Sequence, residues 1–318
     1  MSVAKVVLGK ALFSDQRLSV TGKYSCASCH VPELAFTDGR KTAVGATGEL
    51  HTRNTPTLIN VAYNSSFGWA NPELRNLEDQ HLVPLLNTEP VEMGLNDENL
   101  DGILKTLARD PVFYDRFNAA FPGAEVTLTN ITYALASYVR TLIFANAPFD
   151  RYVYRDDSTA FSETAKLGMR LFFSDRLKCS LCHASFNFSG PVVSADALET
   201  QSVFHNTGLY NLGALGAYPD PGVYAVSGKQ KDMGAFRAPS LRNVALTAPY
   251  MHDGSINTLE EVVDTYAAGG SLKITGIHKG DGRANPWKRE TVSGFEITAG
   301  EKEALVAFLR TLTSTRFE

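Results

Sequence analysis

Two short cysteine motifs carry the clearest chemistry in the sequence. CASCH occupies residues 26–30 and CSLCH occupies residues 179–183, so both follow the spacing C-x-x-C-H. Two thiols at this spacing can form thioethers with the two vinyl groups of one porphyrin, and the adjacent histidine can bind the iron. The motifs therefore predict two covalent haem c groups. Their predicted attachment and proximal residues are Cys26, Cys29, His30, Cys179, Cys182 and His183.

Two other interpretations of the motifs are less favoured. A structural zinc site often combines two CxxC pairs a few tens of residues apart, whereas these pairs are 153 residues apart (179 minus 26) and each has its own histidine. A thioredoxin-type pair needs no histidine and lies near a βαβ unit. All four cysteines of the chain belong to the motifs, so none remains for a structural disulfide.

The haem motifs and the composition together predict where the protein is located and which partners it lacks. Because thioether attachment takes place outside the cytoplasm, we expect a periplasmic protein. The first residues, MSVAKVVLGK, lack the apolar segment of a signal peptide, so an exported form would have lost its signal. The sequence contains no run of about 18 apolar residues, so it predicts no membrane span. The net charge of −4 does not indicate nucleic acid as a partner.

A longer phrase is repeated ahead of both motifs. Residues 8–18 read LGKALFSDQRL and residues 167–177 read LGMRLFFSDRL, and the first copy has an insertion at 19–25 before its cysteines. A repeat of this length predicts two related domains rather than a solenoid. We place them at 1–157 and 158–318, each with one of the two predicted haems.

Apolar periodicity predicts a mainly α fold. Residues 100–107 and 131–142 each carry an apolar stripe at helical spacing, the second after Thr129. Thr258 with Glu261, and the similar pair at 298–301, have the spacing of capping boxes. Regions rich in Gly, Pro and Asn, at 206–234 and 268–295, predict long loops. The expected architecture is two cytochrome c-like haem domains related by the internal repeat, with long loops.

Several further phrases carry a family resemblance. They are RNTPTLIN at 53–60, PVEMG at 90–94, FRAPSLRN at 236–243 and PYMHDGSINTLEEVV at 249–263. With the haem motifs and the repeated phrase, the chain resembles the bacterial dihaem cytochrome c peroxidase/MauG superfamily from Leu8 to Phe317. The resemblance implies one of two activities. Peroxidases of this group reduce hydrogen peroxide with electrons from small redox proteins, whereas MauG-like enzymes use peroxide to modify a residue of a partner protein.

The distal ligand of the second haem separates the two groups. The resemblance implies a methionine there in the peroxidases and a tyrosine in MauG-like proteins, and the matching residue is Tyr266. A thioether favours Fe(II), whereas an anionic phenolate favours higher oxidation states. Tyr266 also completes a helical apolar stripe, so a packing role is the alternative. The rival methionines, Met233 and Met251, rank lower.

The resemblance also assigns residues around the first haem. It leaves His30 as the only strong protein ligand there, and gives acid-base catalysis on hydrogen peroxide to Glu92, with Gln80 as its polar neighbour. The chain reads LNTEPVEM, two residues longer than the usual LNPVEM, so Glu89 competes with Glu92. Trp69 matches a family position between the haems that can relay an electron hole; simple packing is the alternative.

A calcium ion and charged haem contacts complete the expected site. The resemblance implies calcium on Asn54, Thr247 and Pro249, whose oxygens suit a hard cation; turn chemistry alone is the alternative. Arg237 and Arg242 are candidates for pairing with haem propionates, with surface ion pairs as the alternative. The remaining histidines are predicted to be loop hydrogen-bonding residues: His51, His81, His205, His252 and His278. His51 or His81 could also be a switchable distal ligand.

These observations lead to one functional prediction. Hydrogen peroxide reacts at the His30 haem, and the oxidising equivalents spread to the His183/Tyr266 haem, giving two Fe(IV) centres that oxidise an aromatic residue of a small exported protein. The segment at 69–94 looks closest to MauG relatives associated with methanobactin gene clusters, which implies tryptophan converted to kynurenine. Leu177 stands where MauG has a tryptophan, so the electron exit route is not transferable. The alternatives are a peroxide-detoxifying cytochrome c peroxidase, with a small redox protein as donor, and a dihaem electron carrier.

Overall fold

A computed structural model describes residues 1–190, 192–194, 203–212 and 218–314. Phe317, the predicted end of the family resemblance, and residues 213–217 of the predicted loop 206–234 lie outside this part. The helices are α1 (Val3–Phe13), α2 (Cys26–Cys29), α3 (Leu77–Leu86), α4 (Leu100–Arg109), α5 (Pro111–Ala120), α6 (Leu128–Val139), α7 (Pro148–Tyr154), α8 (Glu163–Phe172), α9 (Tyr224–Ser227), α10 (Leu259–Ala267) and α11 (Ala299–Arg310).

Extended structure in the described residues is limited to short antiparallel pairs and isolated bridges. Strand β1 (Phe204–His205) pairs with β2 (Phe236–Arg237), and β3 (Leu272–Lys273) pairs with β4 (Gly280–Asp281). The predicted mainly α fold with long connections is therefore confirmed. Within the described residues, no helix combines the length and apolar character that a bilayer crossing requires.

The chain divides into two compact units. The first unit contains Met1–Ala62 and Leu74–Ile143, and the second contains Tyr63–Glu73 and Phe144–Glu318. This division assigns the segment from 144 to 157 to the second unit, and the haem-domain boundary after Asp157 stays a prediction. Each unit holds one of the two CxxCH motifs.

A helix pair forms the centre of the first unit. Helix α1 crosses α6 at Gly9, where a Cβ atom would lie 1.9 Å from the carbonyl oxygen of Ala134. The backbones approach too closely there for any other residue. Fully buried side chains on both helices, among them Leu12 and Leu135, form the surrounding core.

The second unit is built around a similar helix pair. Helix α8 meets α11 at Gly168, and a Cβ atom there would lie 1.9 Å from the carbonyl oxygen of Ala304. The glycines of both contacts come from the repeated LG phrase. The core of this unit is rich in aromatic rings, which include Phe149, Phe161, Phe172, Phe188 and Phe308. The shared arrangement is consistent with a repeat, whose origin stays a prediction.

The predicted capping boxes are confirmed. The hydroxyl of Thr258 accepts a hydrogen bond from the backbone of Glu261, and Glu261 Oε2 accepts one from the backbone of Thr258. The pair at 298–301 caps α11 in the same way. Most of the apolar stripe predicted over 131–142 lies on helix α6. This helix begins at Leu128, where the Thr127 hydroxyl caps it, and ends at Val139.

Candidate functional site

A cavity of the first unit lies beside the first CxxCH motif. It measures about 740 Å³, counting the part open to solvent, and Cys26, Cys29 and His30 form part of its wall. Other parts of the wall are apolar, and the polar groups of interest are Gln80, His81 and Glu92.

The local fold presents His30 as a metal ligand. Cys26 to Cys29 form a single helical turn, and His30 follows as its last capping residue. His30 Nδ1 lies 2.8 Å from the carbonyl oxygen of Phe36, so Nδ1–H donates and Nε2 is left for iron. Burial lowers the pKa of His30, which favours the neutral ligand form. Two unbridged thiols, this imidazole and the cavity fit a covalent haem c.

Gln80 and Glu92 reach the same cavity from different segments. Gln80 lies on α3, and its buried Oε1 has no hydrogen-bond partner among the described residues. Burial raises the pKa of Glu92 to about 7. Glu89 is exposed and does not line the cavity, so the geometry favours Glu92 over its competitor. The unsatisfied amide oxygen and the poised carboxyl suit a small polar substrate beside the cofactor.

Helix α3 is fixed by an ion pair at its first turn. Both carboxylate oxygens of Glu78 accept hydrogen bonds from the guanidinium of Arg140, at 2.6 and 2.7 Å. This bidentate geometry holds α3 against the end of α6. Gln80 is therefore presented by a rigid element although Pro84 interrupts the helix interior.

The histidines outside the motifs differ in their settings. The prediction of a loop position was wrong for His81, which lies inside α3, where its Nδ1 is 2.5 Å from the Leu77 carbonyl oxygen. Burial lowers the pKa of His81 to about 4, so the ring is neutral. His51 lies in a loop, and its buried Nε2 has no hydrogen-bond partner among the described residues. His81 lines the cavity and His51 does not, but a switchable ligand stays a prediction for either.

The second unit presents His183 in the same manner as His30. Cys179–Leu181 forms a 3₁₀ turn, and His183 Nδ1 lies 3.0 Å from the carbonyl oxygen of Phe188. Nε2 is again left for a metal, and the two thiols are unbridged. These residues also fit covalent haem c.

Tyr266 lies on α10 in the second unit. Burial raises the pKa of its phenol, and the charges of the Cys182 and Cys179 thiols raise it further. The phenol is therefore within electrostatic range of the second motif, and its ligation of the second haem stays a prediction. Met251, one of the rival methionines, packs against a separate cluster of Leu209, Tyr210 and Ile256.

Arg237 provides a buried cation in the second unit. Burial lowers its pKa to about 10, and its Nε donates to the carbonyl oxygen of Gly68 at 3.1 Å. Among the described residues, no carboxylate forms a salt bridge with it. His205 has a buried Nδ1 without a hydrogen-bond partner in the described part of the chain. Such groups suit a haem propionate.

Arg242 has a different partner from the one predicted. Its Nη1 lies 2.8 Å from both carboxylate oxygens of Asp150, and both residues are almost fully buried. Its Nε and Nη2 donate to the carbonyl oxygen of Phe186. Because these donors are already used, Arg242 supports the loop behind His183 instead of binding a propionate.

Trp69 belongs to the second unit, whereas the predicted calcium ligands are divided between the two units. The carbonyl oxygen of Trp69 accepts a hydrogen bond from Arg237 N, and the residue packs against a small apolar cluster that includes Phe236. Asn54 belongs to the first unit, and Thr247 and Pro249 belong to the second. The hole relay and the calcium site stay predictions.

Comparisons with known proteins agree on the family. The protein-family model described as di-haem cytochrome c peroxidase matches residues 3–158. The methylamine utilization protein MauG of Methylorubrum extorquens is 36% identical over 311 residues, which cover 97% of this chain and 78% of that protein. The cytochrome c551 peroxidase of Nitrosomonas europaea is 31% identical, covering 96% of this chain and 79% of that protein.

Solved structures extend the comparison to the fold. A MauG-like protein associated with microbial copper homeostasis superposes with a TM-score of 0.96 at 41% identity, covering 100% of this chain and 91% of that chain. The diheme peroxidase BthA from Burkholderia thailandensis, at 23% identity and a TM-score of 0.75, shares the fold. The chain belongs to the di-haem cytochrome c peroxidase/MauG family and is a haem-containing, peroxide-dependent oxidoreductase.

Proposed function

We propose that this enzyme uses hydrogen peroxide to oxidise a tryptophan side chain of a small exported partner protein, with kynurenine as the product. The observation that carries the proposal is Tyr266, which lies near the thiols of Cys179 and Cys182. A phenolate ligand stabilises higher oxidation states of iron, whereas a thioether stabilises the reduced form. The second site is then suited to holding oxidising equivalents for a distant target.

Residues of the first unit manage the peroxide. The haem supplies the redox chemistry for O–O cleavage when it is bound. Glu92 takes a proton from the inner peroxide oxygen and returns it to the outer one, a role that suits a carboxyl with a pKa of about 7. The Oε1 of Gln80 accepts a hydrogen bond from the substrate. His30 would hold the haem iron through Nε2, since its Nδ1 is engaged by the Phe36 carbonyl oxygen.

Residues of the second unit store and relay the oxidation. Tyr266 and His183 would ligate the second haem, and we assign Trp69 the relay of oxidising equivalents to that site. Indole is readily oxidised and offers a large π system, which a relay needs. The predicted calcium ion, on oxygens of Asn54, Thr247 and Pro249, belongs to the same proposal.

The relatives support the choice of partner. One solved relative is described as MauG-like and associated with microbial copper homeostasis, and it superposes over this whole chain. We infer a small secreted protein as the substrate and a periplasmic location for the reaction. In this function, electron donation by a small redox protein contributes little to the reaction.

Mass spectrometry of candidate partners tests the proposal. Small exported proteins encoded beside this gene are incubated with the holoenzyme and peroxide, and their tryptophan peptides are analysed. We expect the mass change of kynurenine with the native enzyme, and its loss with Tyr266→Met. Peroxide alone is the control. Unmodified partners, together with rapid peroxide turnover on reduced small cytochromes, would contradict the proposal.

Peroxide detoxification is the second candidate. Relatives described as cytochrome c peroxidases favour it, such as IdrP1 of Pseudomonas sp., which is 33% identical and aligned over 98% of this chain and 81% of that protein. This function requires electrons to enter from a small redox protein at a rate matching peroxide reduction. Steady-state turnover of peroxide with reduced cytochrome as the electron donor measures that rate. Slow turnover excludes the detoxification function. Rapid reaction with peroxide excludes a pure electron carrier.

A further inference from the structure

Tyr210 of the second unit has a hydroxyl that is bonded to a carboxylate. The residue is 9% exposed, and its Oη donates to Oδ2 of Asp253 at 2.5 Å. The other oxygen, Oδ1, accepts a hydrogen bond from the backbone of Ser255 at 3.1 Å. A carboxylate aligned on a phenol hydroxyl offers a base that can take its proton without any movement of heavy atoms.

The backbone of Tyr210 is held as tightly as its hydroxyl. Its carbonyl oxygen accepts hydrogen bonds from Asn285 Nδ2 at 2.8 Å and from the Tyr218 hydroxyl at 3.2 Å. A side chain fixed at both ends needs little reorganisation when its charge changes, which favours electron transfer through it.

Tyr210 shares a cluster with helix α10 and contacts a surface hairpin. Val262, which packs against the cluster, is one helical turn before Tyr266. Lys273 Nζ lies 5.5 Å from the Tyr210 ring centroid, and the His278 ring lies at the same centroid distance. The hairpin that carries these two residues ends in exposed apolar side chains, with Ile274 70% and Ile277 90% exposed.

We propose that Tyr210 and Asp253 form a proton-coupled relay that carries oxidising equivalents from the Tyr266 site towards the surface. The inference rests on the proposed function. Tyr210 gives one electron to the oxidised site while its proton moves from Oη to Oδ2 of Asp253. The neutral tyrosyl radical then takes one electron from an aromatic side chain of the partner, and the proton returns to Oη. Two such passages use the two oxidising equivalents of one peroxide molecule.

Electron paramagnetic resonance of the holoenzyme tests the relay without any partner. One equivalent of hydrogen peroxide is added, samples are freeze-quenched, and protein with ring-deuterated tyrosine identifies a tyrosyl signal. We expect a tyrosyl radical in the native protein and none in Tyr210→Phe. Asp253→Asn, which keeps the shape but loses the base, slows radical formation about 100-fold.

A nearby tyrosine provides the matched control. Tyr250 packs against the same cluster, but its hydroxyl donates to the carbonyl oxygen of Val244 at 3.1 Å, which cannot accept a proton. Tyr250→Phe therefore keeps the radical. Radical formation in the native protein slows in D₂O because the proton moves with the electron, and this readout does not depend on how the variants fold.

Several outcomes would overturn the relay. They are no tyrosyl signal in the native protein, an unchanged signal in Tyr210→Phe, and equal rates in H₂O and D₂O. The relay and the proposed function can fail separately. A partner that is oxidised equally fast by Tyr210→Phe rejects the relay alone, whereas a Tyr210 radical without any partner oxidation rejects the proposed function alone.

Discussion

The two CxxCH sites hold their histidines alike and differ in what lies opposite. In both, Nδ1 is fixed by a backbone carbonyl oxygen, that of Phe36 for His30 and that of Phe188 for His183. The first site faces a cavity with a poised carboxyl, Glu92, whereas the second has a tyrosine close to its cysteines. In the proposed function, the same attachment motif serves one site that reacts with peroxide and another that holds oxidising equivalents, and the groups opposite each histidine set the difference.

The loops behind the two histidines are also held differently. In the first unit the Thr57 hydroxyl donates to the carbonyl oxygen of Ala35, the residue next to Phe36, at 2.6 Å. In the second unit Arg242 donates to Phe186 and pairs with the buried Asp150. A neutral hydrogen bond supports one site and a buried ion pair supports the other.

The largest expected effect falls on the first site alone. Glu92→Gln removes the group that moves the peroxide proton, so we expect the reaction with peroxide to slow by about 10²–10⁴-fold. Stopped-flow absorption after peroxide addition measures this rate. Because the deprotonated carboxyl must accept a proton, the native rate rises with pH through about 7, the pKa of Glu92, and this rise disappears in the variant. Glu89→Gln, on the exposed neighbour, is the control; a slow reaction in that variant instead would reassign the role.

Removing the supports of the two loops sharpens the comparison. Arg242→Met leaves Asp150 buried without its cation, and we expect a loss of about 3–5 kcal/mol in the free energy of unfolding. Thr57→Val removes two neutral hydrogen bonds, the one donated to Ala35 O and the one accepted from Ile59 N, with an expected loss of about 1–3 kcal/mol. Denaturant unfolding of the holo-proteins measures both. Equal losses in the free energy of unfolding would show that the buried pair of Arg242 and Asp150 stabilises the second site no more than the Thr57 hydroxyl stabilises the first.

The helix contacts at Gly9 and Gly168 should be equally sensitive to an added methyl group. Gly9→Ala and Gly168→Ala each place a methyl group 1.9 Å from a carbonyl oxygen. We expect each to destabilise the protein by about 1–3 kcal/mol through overpacking. Gly102→Ala is the control, since a Cβ atom on this helical residue meets open space and should stabilise by about 0.4–1 kcal/mol. Thermal unfolding compares the three, and a neutral Gly168→Ala would contradict the predicted similarity of the contacts.

The sequence was most informative where the chemistry is local. A CxxCH motif and a capping box are each complete within a few residues, so no tertiary information was needed to predict them. The pair of Arg242 and Asp150 is separated by 92 positions, and only the fold brings the two together. Arg242 was considered a propionate ligand because its motif shows a conspicuous cation and gives no sign of its partner.

The distal residues were predicted from a resemblance rather than from their own pattern. Gln80 and Glu92 lie on a helix and on the segment after it, and their approach to one cavity depends on how α3 packs against α6. Helix α3 itself was missed because Pro84 argues against a helix interior. Its N-cap, Asn76, and the acidic residues of its first turn were the available signals.

The ligand of the second haem iron is the most direct test of the account. Resonance Raman spectroscopy of the ferric holoenzyme, compared with Tyr266→Phe, identifies the ligand. We predict phenolate vibrations that disappear in the variant, while the spectrum of the His30 haem stays unchanged. A sulfur-to-iron charge-transfer band in the native protein, retained in Tyr266→Phe, would show a methionine ligand and contradict the account.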